Sequence, residues 1–303
     1  MVVDKPYHEV CDKDMSRTVS HISTRRPRIS PLRYPGGKSA LYPRLRAIIR
    51  DMGLAGCTYI EPYAGGVGAG LGLLVTGQVE HVIINDLDPA IYSFWKTLCV
   101  DNDWLIEQVA TATLSIDEWK RQHKIYKAAD TSKRRELGFA TFYLNRTNRS
   151  GVLTAGPIGG FKQNGTYKIN ARFNRKDLCE RIRILGLYSD AIVPIMCDGI
   201  DVINRYAGQK NTFIYADPPY FEKAKSLYLN AFQAEDHKAL AHVLNNHKDD
   251  PWLLTYDDVP QVYELYKDRS KKRFQLNYSA NKVMKATEVA VFSDTVSEVN
   301  TCW

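Results

Sequence analysis

The chain has 303 residues, of which 44% are hydrophobic and 25% charged, and its formal net charge is +7. This composition excludes collagen-like and disordered chains, and the length allows one large α/β domain with an insertion. No apolar run approaches the ~18 residues of a membrane-spanning helix. The charged N-terminus lacks the apolar stretch of a signal peptide, so we expect a cytoplasmic protein. The six cysteines show none of the short Cys or His spacings that bind zinc, so we expect no metal site.

Strand and helix signals alternate along the chain after residues 1–30, which have no hydrophobic period and are predicted to be a flexible extension. Short apolar runs predict strands at residues 58–60, 81–84, 192–196, 212–216, 252–255, 274–278 and 289–292. Helical spacing predicts helices at residues 66–74, 89–98 and 236–244. The alternation predicts an α/β fold with a doubly wound sheet, in which ligands bind at the carboxyl ends of the strands.

Residues 100–185 interrupt this alternation. Residues 104–142 have a polar, basic and helical pattern, and the following glycine-rich stretch predicts a β-hairpin over residues 152–173. We therefore predict that residues 31–99 and 186–303 form the sheet domain and that residues 100–185 form an inserted domain.

The positive charge is concentrated in one segment. Residues 120–183 contain 16 Lys and Arg but only 4 Asp and Glu, so this segment is basic and the remainder of the chain is not. A field of one sign attracts polyanions, of which nucleic acid is the commonest, because each neutralised phosphate releases counterions. A solvated lysine-rich helix face is the alternative interpretation.

The first motif, Tyr-Ile-Glu-Pro-Tyr-Ala-Gly-Gly at residues 59–66, joins a predicted strand to a predicted helix. Its glycines allow the backbone to approach a ligand, and Asp86, after the next strand, can accept hydrogen bonds from ribose hydroxyls. Glu61 would repel a pyrophosphate, so the motif favours a nucleoside cofactor with a cationic amino-acid tail. A tight structural turn is the alternative.

The second motif, Asp217-Pro218-Pro219-Tyr220, follows the predicted strand at residues 212–216 directly. The prolines fix the backbone so that the Asp217 carboxylate and the Pro218 carbonyl can both accept hydrogen bonds from an exocyclic amino group. Tyr220 offers a ring face on which a base can stack. This arrangement would aim the nitrogen lone pair at an electrophilic methyl group, which is catalysis by positioning.

Together these motifs resemble the Dam-type (D12 class) DNA adenine-N6 methyltransferases. The similarity extends from about residue 31 to residue 294 and rests on the order of the motifs and on the insertion between the last two. The matching segments are residues 31–39, 59–66, 85–89, 142–146, 150–151, 159–161, 217–220 and 254–258.

The resemblance implies a Rossmann-like methyltransferase sheet with an inserted helical and β-hairpin DNA-recognition domain. It implies transfer of the methyl group of S-adenosylmethionine to N6 of a flipped-out adenine in duplex DNA. Asp198 could instead cap a helix, and Tyr34 stands where the family commonly has Trp. The implied catalytic residues are Asp217, Pro218, Pro219 and Tyr220, and the implied cofactor residues are Tyr34, Lys38, Glu61, Pro62, Tyr63, Ala64, Gly65, Gly66, Asp86, Asp198 and Asp217.

The basic insertion then becomes the candidate DNA-reading segment, on an enzyme expected to act as a monomer without a metal. Arg149 and Thr154 differ from the residues of relatives that read GATC, so that specificity is not transferred. Residues 221–228 could close over the flipped base. The implied DNA-binding residues are Asn145, Arg146, Asn148, Arg149, Lys162, Lys168, Arg172 and Arg175.

Several alternatives stay open at this stage. N4-cytosine methylation would use the same acceptors, although Ser commonly replaces Asp217 in that chemistry. An RNA substrate, a nicotinamide-dependent oxidoreductase and a DNA-binding module without turnover are further alternatives, but the oxidoreductase leaves residues 217–220 unexplained. Enzymes of restriction-modification systems, phages and phage defence would share all these motifs.

Overall fold

The computed structural model describes residues 27–33, 38–221, 232–279 and 283–299. Its centre is a seven-stranded sheet of strand order β3-β2-β1-β4-β5-β7-β6. The α/β sheet expected from the sequence is therefore confirmed. The strands are β1 (Cys57–Glu61), β2 (Val79–Asn85), β3 (Ile192–Ile195), β4 (Thr212–Ala216), β5 (Trp252–Asp257), β6 (Ser270–Ser279) and β7 (Val283–Phe292).

The sheet runs outward from β1 in two directions. Strand β1 pairs in parallel with β2 on one side and with β4 on the other, and β3 and β5 continue the parallel part. Strand β7 then pairs antiparallel with both β5 and β6. Ligands of such sheets bind at the carboxyl ends of the strands where the strand order reverses, which here is the edge formed by the ends of β1 and β4.

Helices cover the sheet. Helix α2 begins two residues later than predicted, because Gly65 and Val67 adopt left-handed φ angles of 50° and 47° and keep the preceding turn non-helical. The helices are α1 (Tyr42–Asp51), α2 (Gly68–Val75), α3 (Pro89–Val100), α4 (Asn102–Thr111), α5 (Ile116–Ala128), α6 (Arg134–Thr147), α7 (Arg175–Gly186), α8 (Gly199–Tyr206), α9 (Ala234–Asn246), α10 (Pro260–Leu265) and α11 (Asp294–Val299). Within the described ranges, none of them is long and apolar enough to cross a membrane.

Helices α4 to α7 fall between the sheet helix α3 and strand β3. They belong to the same hydrophobic core as one face of the sheet. Phe94 of α3 stacks on Phe142 of α6 with ring centroids 5.8 Å apart, and Phe142 contacts Phe173 edge to face at 5.6 Å. The segment thus extends the core of the sheet.

The β-hairpin predicted for residues 152–173 is wrong. This segment, which the structure describes completely, runs through turns, and its only pairing is an isolated bridge from Asn148 to Pro157. The Gln163 side chain supplies the reason: its amide donates to the Ile158 and Gly160 carbonyls, and its Oε1 accepts from the Ile169 N–H. These bonds replace a strand ladder.

Candidate active site

Asn85 joins the ends of three parallel strands on the ligand side of the sheet. Its side-chain amide donates to the carbonyls of Pro62 at 2.8 Å and Cys197 at 3.0 Å, and its Oδ1 accepts from the Cys197 N–H at 2.9 Å. Trp95 adds a bond from its Nε1 to the Gly65 carbonyl at 2.9 Å. The turn at residues 62–67 is therefore held in place by buried side chains. Neither Asn85 nor Trp95 was predicted as a site residue, although Asn85 is a polar residue at the end of an apolar strand.

Asp86 lies directly after β2, beside this turn. Its Oδ2 accepts from the Gly65 N–H at 3.0 Å and its Oδ1 from the Asp88 N–H at 3.0 Å. Burial raises the pKa of Asp86 to about 7, although both backbone hydrogen bonds favour the ionised form. A ligand that donates hydrogen bonds to this carboxyl group would therefore stabilise its ionised form.

Glu61, the last residue of β1, is 5% exposed. Burial raises its pKa to about 8, and the nearby Asp217 carboxylate raises it further, while the Lys38 ammonium acts in the opposite direction. Strand β1 pairs in parallel with β4, so Glu61 at the end of β1 and Asp217 directly after β4 lie at the same edge of the sheet. The first and the second motif approach each other there.

Gly70 of α2 leaves room for the side chains beneath it. A Cβ at this position would lie 2.7 Å from Cε1 of Tyr59 and 3.1 Å from Oε1 of Glu61. Gly70→Ala is expected to destabilise the fold by about 1–3 kcal/mol, because the Tyr59 ring must shift, although Ala is intrinsically the better helix former. Thermal unfolding measures this change.

Gly156→Ala is the matched control, since its Cβ would meet only the end of the flexible Arg149 side chain at 3.3 Å. An unchanged melting temperature in Gly70→Ala would contradict the close packing of α2 on Glu61.

Asp198 and Tyr63 lie at the neighbouring strand ends. Asp198 caps α8, accepting from the Ile200 N–H at 2.8 Å, so the helix-cap alternative describes this exposed side chain. Gly199 provides the space for the Tyr63 ring, because a Cβ there would lie 2.3 Å from it. Burial, followed by the charge of Asp198, raises the pKa of the Tyr63 hydroxyl.

The second motif begins at the end of β4, and its carboxylate is held by hydroxyl groups. Oδ1 of Asp217 accepts hydrogen bonds from Thr255 Oγ1 at 2.7 Å and from the Tyr220 hydroxyl at 2.9 Å. The Tyr215 hydroxyl lies 2.8 Å from Thr255 Oγ1 and donates to it, because Thr255 uses its only proton on Asp217. Two donors therefore fix one carboxylate oxygen and leave the other for a different partner. Thr255 was missed by the sequence analysis.

That partner is Lys38. Its Nζ lies 3.0 Å from Oδ2 of Asp217, 2.7 Å from the Tyr220 hydroxyl and 3.4 Å from Oε2 of Glu288. Burial opposes the charge on Lys38, but the carboxylates of Asp217 and Glu288 raise its pKa above the ordinary value. The structure thus brings Lys38 to the second motif.

The remaining residues of the motif are packed. Pro218 is buried, Pro219 is half-buried and Tyr220 is 7% exposed. The following Phe221 stacks on His237 with ring centroids 3.6 Å apart, and the imidazole Nδ1 of His237 lies 2.7 Å from the Tyr256 hydroxyl. The motif is thus supported from α9 and β5.

Three predicted DNA contacts are inside the protein. The Asn145 amide bonds to the Arg33 N–H and carbonyl, both at 2.7 Å, and the Asn148 Oδ1 accepts from Trp119 Nε1 at 2.6 Å. Arg146 is 8% exposed and donates to the Pro31 carbonyl. These side chains bind the chain itself, so we no longer assign direct DNA contacts to them.

The pKa of the buried Arg146 guanidinium is lowered by its surroundings. Burial lowers its pKa to about 9, and the guanidinium groups of Arg181 and Arg33 lower it further. Arg175 is exposed but also binds the chain, donating to the Ala110 and Ala112 carbonyls at the C-terminal end of α4. Arg146 of α6, Arg181 of α7 and Arg33 thus concentrate positive charge where these two helices meet the segment before Lys38.

The other predicted DNA contacts are on the surface. They are Arg149, Lys162, Lys168 and Arg172, all of which are exposed. Two large aromatic side chains of the same segment are also exposed, Phe161 by 59% and Tyr167 by 64%. Together these six residues form what we call the basic face. The sequence analysis did not include the two aromatic residues.

Three further predictions fall wholly or partly beyond what the structure describes. Residues 1–26 of the predicted flexible extension, Tyr34 and residues 222–228 of the predicted closing loop lie outside the described residues. Among the residues that are described, no group of three or more His, Cys, Asp or Glu side chains is arranged to hold a metal ion.

A parallel sheet with buried carboxyl groups at its switch point and the Asp-Pro-Pro-Tyr turn beside them is typical of a Rossmann-like methyltransferase. The family model of the D12 class N6 adenine-specific DNA methyltransferases matches residues 34–283. The chain belongs to this family, whose members use a methyl donor and DNA.

Two curated relatives are similar to the chain. The type II methyltransferase M.MjaIII of Methanocaldococcus jannaschii is 30% identical over 173 residues, which are 54% of this chain and 58% of the relative. The type II methyltransferase M.CviBI of Paramecium bursaria Chlorella virus NC1A is 22% identical over 226 residues, which are 73% of this chain and 83% of the relative. The chain thus spans less than two thirds of the length of M.MjaIII.

Proposed function

We propose that this chain transfers the methyl group of S-adenosylmethionine to N6 of an adenine in duplex DNA by direct in-line displacement. The observation that carries the proposal is the position of Asp217 directly after β4, at the same sheet edge as Glu61 at the end of the neighbouring parallel strand β1. A donor bound at the first motif would thereby meet an amine bound at the second.

The residues of the first motif fit S-adenosylmethionine. Asp86 would accept hydrogen bonds from the ribose hydroxyls, and Glu61 would face the cationic amino-acid end. Both carboxyl groups have a pKa raised by burial, to about 7 and about 8, so a hydroxyl-bearing cationic ligand would relieve their desolvation. When bound, the donor supplies an electrophilic methyl group. Residues 62–66 would line its methionine end.

The second motif would hold the target amine. Oδ1 of Asp217 already accepts from Thr255 and Tyr220, so we assign the amine to the Pro218 carbonyl and to Oδ2, where it would take the place of the Lys38 ammonium. Accepting both amine protons would aim the nitrogen lone pair at the methyl group. The Tyr220 ring would stack on the base, which must leave the duplex to reach it.

The basic face would bind the duplex. We propose that the exposed side chains of Lys162, Lys168 and Arg172 contact phosphates, which position the enzyme, and that exposed Arg149 reaches a base edge or stacks on a base. The exposed aromatic rings of Phe161 and Tyr167 supply apolar contact area beside these charges. We propose that this face holds the DNA while the target adenine is flipped.

Removing a phosphate contact has a recognisable signature. Lys162→Ala and Lys168→Ala are each expected to lower the slope of log affinity against log salt concentration by about 0.9, because one fewer counterion is released. Fluorescence anisotropy with a mixed-sequence duplex at several salt concentrations measures the slope. Lys210→Ala, an exposed lysine in the turn before β4, is the matched control and should leave the slope unchanged. Unchanged slopes in both basic-face variants would place the DNA elsewhere.

The proposed reaction is tested by incubating the protein with methyl-labelled S-adenosylmethionine and unmethylated mixed-sequence duplex DNA, followed by digestion to nucleosides. Label in N6-methyladenine is the expected result. Label in N4-methylcytosine would change the base and keep the mechanism, whereas label only on an RNA substrate would change the partner. Absence of label in every nucleic acid, with the donor still bound, would overturn the proposal.

The two relatives are named as type II methyltransferases. We propose on this basis that the chain is a site-specific modification enzyme of a restriction-modification or phage-defence system. Sequencing the methylated positions of DNA from cells that express the chain tests this, since a site-specific enzyme marks one recurrent sequence.

A further inference from the structure

Glu288 is a fully buried carboxyl group beside the second motif. It lies on β7, opposite Asp257 of β5, and its Oε2 is 3.4 Å from the Lys38 ammonium. Buried apolar residues, Val289, Ala290 and Val291, follow it along the strand. Glu288 lies in neither motif and is not among the residues proposed to bind the donor or the base.

The Lys38 ammonium creates a problem that Glu288 can solve. It lies 3.0 Å from Oδ2 of Asp217, the oxygen assigned above to the target amine, and 5.0 Å from the centre of the Tyr220 ring. An amine that attacks a methyl group gains positive charge as the new bond forms, and a carboxylate beside it stabilises that charge. A Lys38 ammonium without a second carboxylate would cancel this stabilisation at such a short distance. The effect is stronger because the groups are buried, where charges interact more strongly than in water.

We propose that Glu288 neutralises Lys38, so that Asp217 presents a net negative charge to the target amine. Lys38 is one cation between two carboxylates, and the three groups together keep one negative charge. When the amine binds Oδ2 of Asp217, the Lys38 ammonium remains paired with Glu288. Glu288 is thus a positioning residue that acts through Lys38, and this inference rests on the proposed function.

A purely structural role for Glu288 is the competing explanation. Buried ion pairs contribute little to stability compared with apolar residues of similar volume, and the apolar residues that follow Glu288 on β7 fit such a replacement. The distances instead join Glu288 to Asp217 through the Lys38 ammonium, and Asp217 is the carboxylate that we assign to the amine. The two explanations differ in which kinetic constant changes.

Glu288→Gln tests the proposal because it removes the charge and keeps the shape. Single-turnover methyl transfer to duplex DNA is expected to slow by about a hundredfold, as when one preorganised electrostatic partner of a transition state is lost. The KM values for DNA and for S-adenosylmethionine should stay near those of the wild type, because neither ligand touches Glu288. Exposed Glu264→Gln is the matched control. An increase in KM as large as the decrease in rate, or an unchanged rate, would overturn the proposal.

The double variant Lys38→Met/Glu288→Gln makes the test specific. The three positions again sum to one negative charge, now carried by Asp217 alone, so the double variant should transfer methyl groups faster than Glu288→Gln alone. A structural defect at Glu288 would not be repaired by a second change at Lys38. A double variant as slow as the single one would contradict the proposed neutralisation.

Thermal unfolding measures the coupling between Lys38 and Glu288 without requiring methyl transfer. Lys38→Met alone leaves Glu288 buried beside an apolar side chain and should lower the melting temperature more than the double variant does. Additive effects of the two substitutions would overturn the pairing of Lys38 with Glu288 whether or not the protein methylates DNA. A wild type without methyl transfer but with this coupling would refute the proposed function and leave the pairing in place.

Discussion

Asp217→Asn is expected to slow methyl transfer by about a hundred- to a thousandfold, the loss typical of removing one preorganised group from a transition state. The reason lies in which oxygen is already used. Thr255 and Tyr220 both donate to Oδ1 of Asp217, so the amide oxygen of Asn must take that position. Its NH₂ group then replaces Oδ2 and points a donor at the target amine and at Lys38.

The measurement is single-turnover methyl transfer with saturating S-adenosylmethionine, accompanied by a binding titration of the donor. Donor affinity should remain close to the wild-type value, because Asp217 would contact the amine and only the methyl end of the donor. Asp201→Asn, an exposed aspartate on α8, controls for the loss of one surface charge. Transfer by Asp217→Asn at the wild-type rate would remove this carboxylate from the mechanism.

Donor affinity is expected to rise as the pH increases from about 6 to about 8. Burial raises the pKa of Asp86 to about 7 and that of Glu61 to about 8. The proposed contacts to ribose hydroxyls and to a cationic tail require ionised carboxylates, so protons compete with the donor at the lower pH. Isothermal titration with S-adenosylmethionine across this range measures the effect.

The stability of the protein without donor should change in the opposite sense. A carboxyl group whose pKa is higher in the folded than in the unfolded chain stabilises the fold below its unfolded pKa, near 4, and this contribution is lost as pH rises through the folded pKa. For Asp86 and Glu61 the loss falls between about pH 4 and pH 8. The donor should therefore raise the melting temperature more at pH 8 than at pH 6.

Asp86→Asn distinguishes the contribution of Asp86 to donor binding from that of Glu61. Donor affinity should fall by about ten- to a hundredfold at pH 8, the value of hydrogen bonds to a charged group. The pH dependence of the melting temperature should also become shallower, because one of the two titrating groups is gone. Asp190→Asn, exposed before β3, is the control. An unchanged pH dependence of donor affinity in Asp86→Asn would show that Asp86 does not bind the donor.

The sheet and the two motifs could be predicted from the sequence because short apolar runs mark buried parallel strands and because the motifs follow such runs directly. The turn segment at residues 152–173 could not. Its glycines and Asn164 are as typical of a hairpin as of successive turns, and the outcome depends on the side-chain bonds of Gln163. Asn145 and Asn148 were misread for a related reason, since an amide in a basic segment suggests DNA until its partners are seen.

The pairing of Lys38 with Glu288 lies beyond sequence reasoning altogether. The two residues are far apart in the chain, and β7 reaches the site only because it inserts between β5 and β6. A register set by the β5 pairing then places Glu288 opposite Asp257, near the second motif. Glu61 offers a contrast, because its position between a strand and a glycine turn suggested a ligand role from the sequence alone.

The shared core of helices α4 to α7 and the sheet decides which parts of this protein can be exchanged with those of a relative. Transplanting residues 100–185 as a block would replace core residues that pack against α3, including the Phe142 ring on which Phe94 stacks. The turn segment between α6 and α7 carries Lys162, Lys168 and Arg172 of the basic face and contributes Ile169 and Phe173 to the core. A graft confined to this turn segment, with those two apolar anchors kept, would therefore change the basic face and preserve the scaffold.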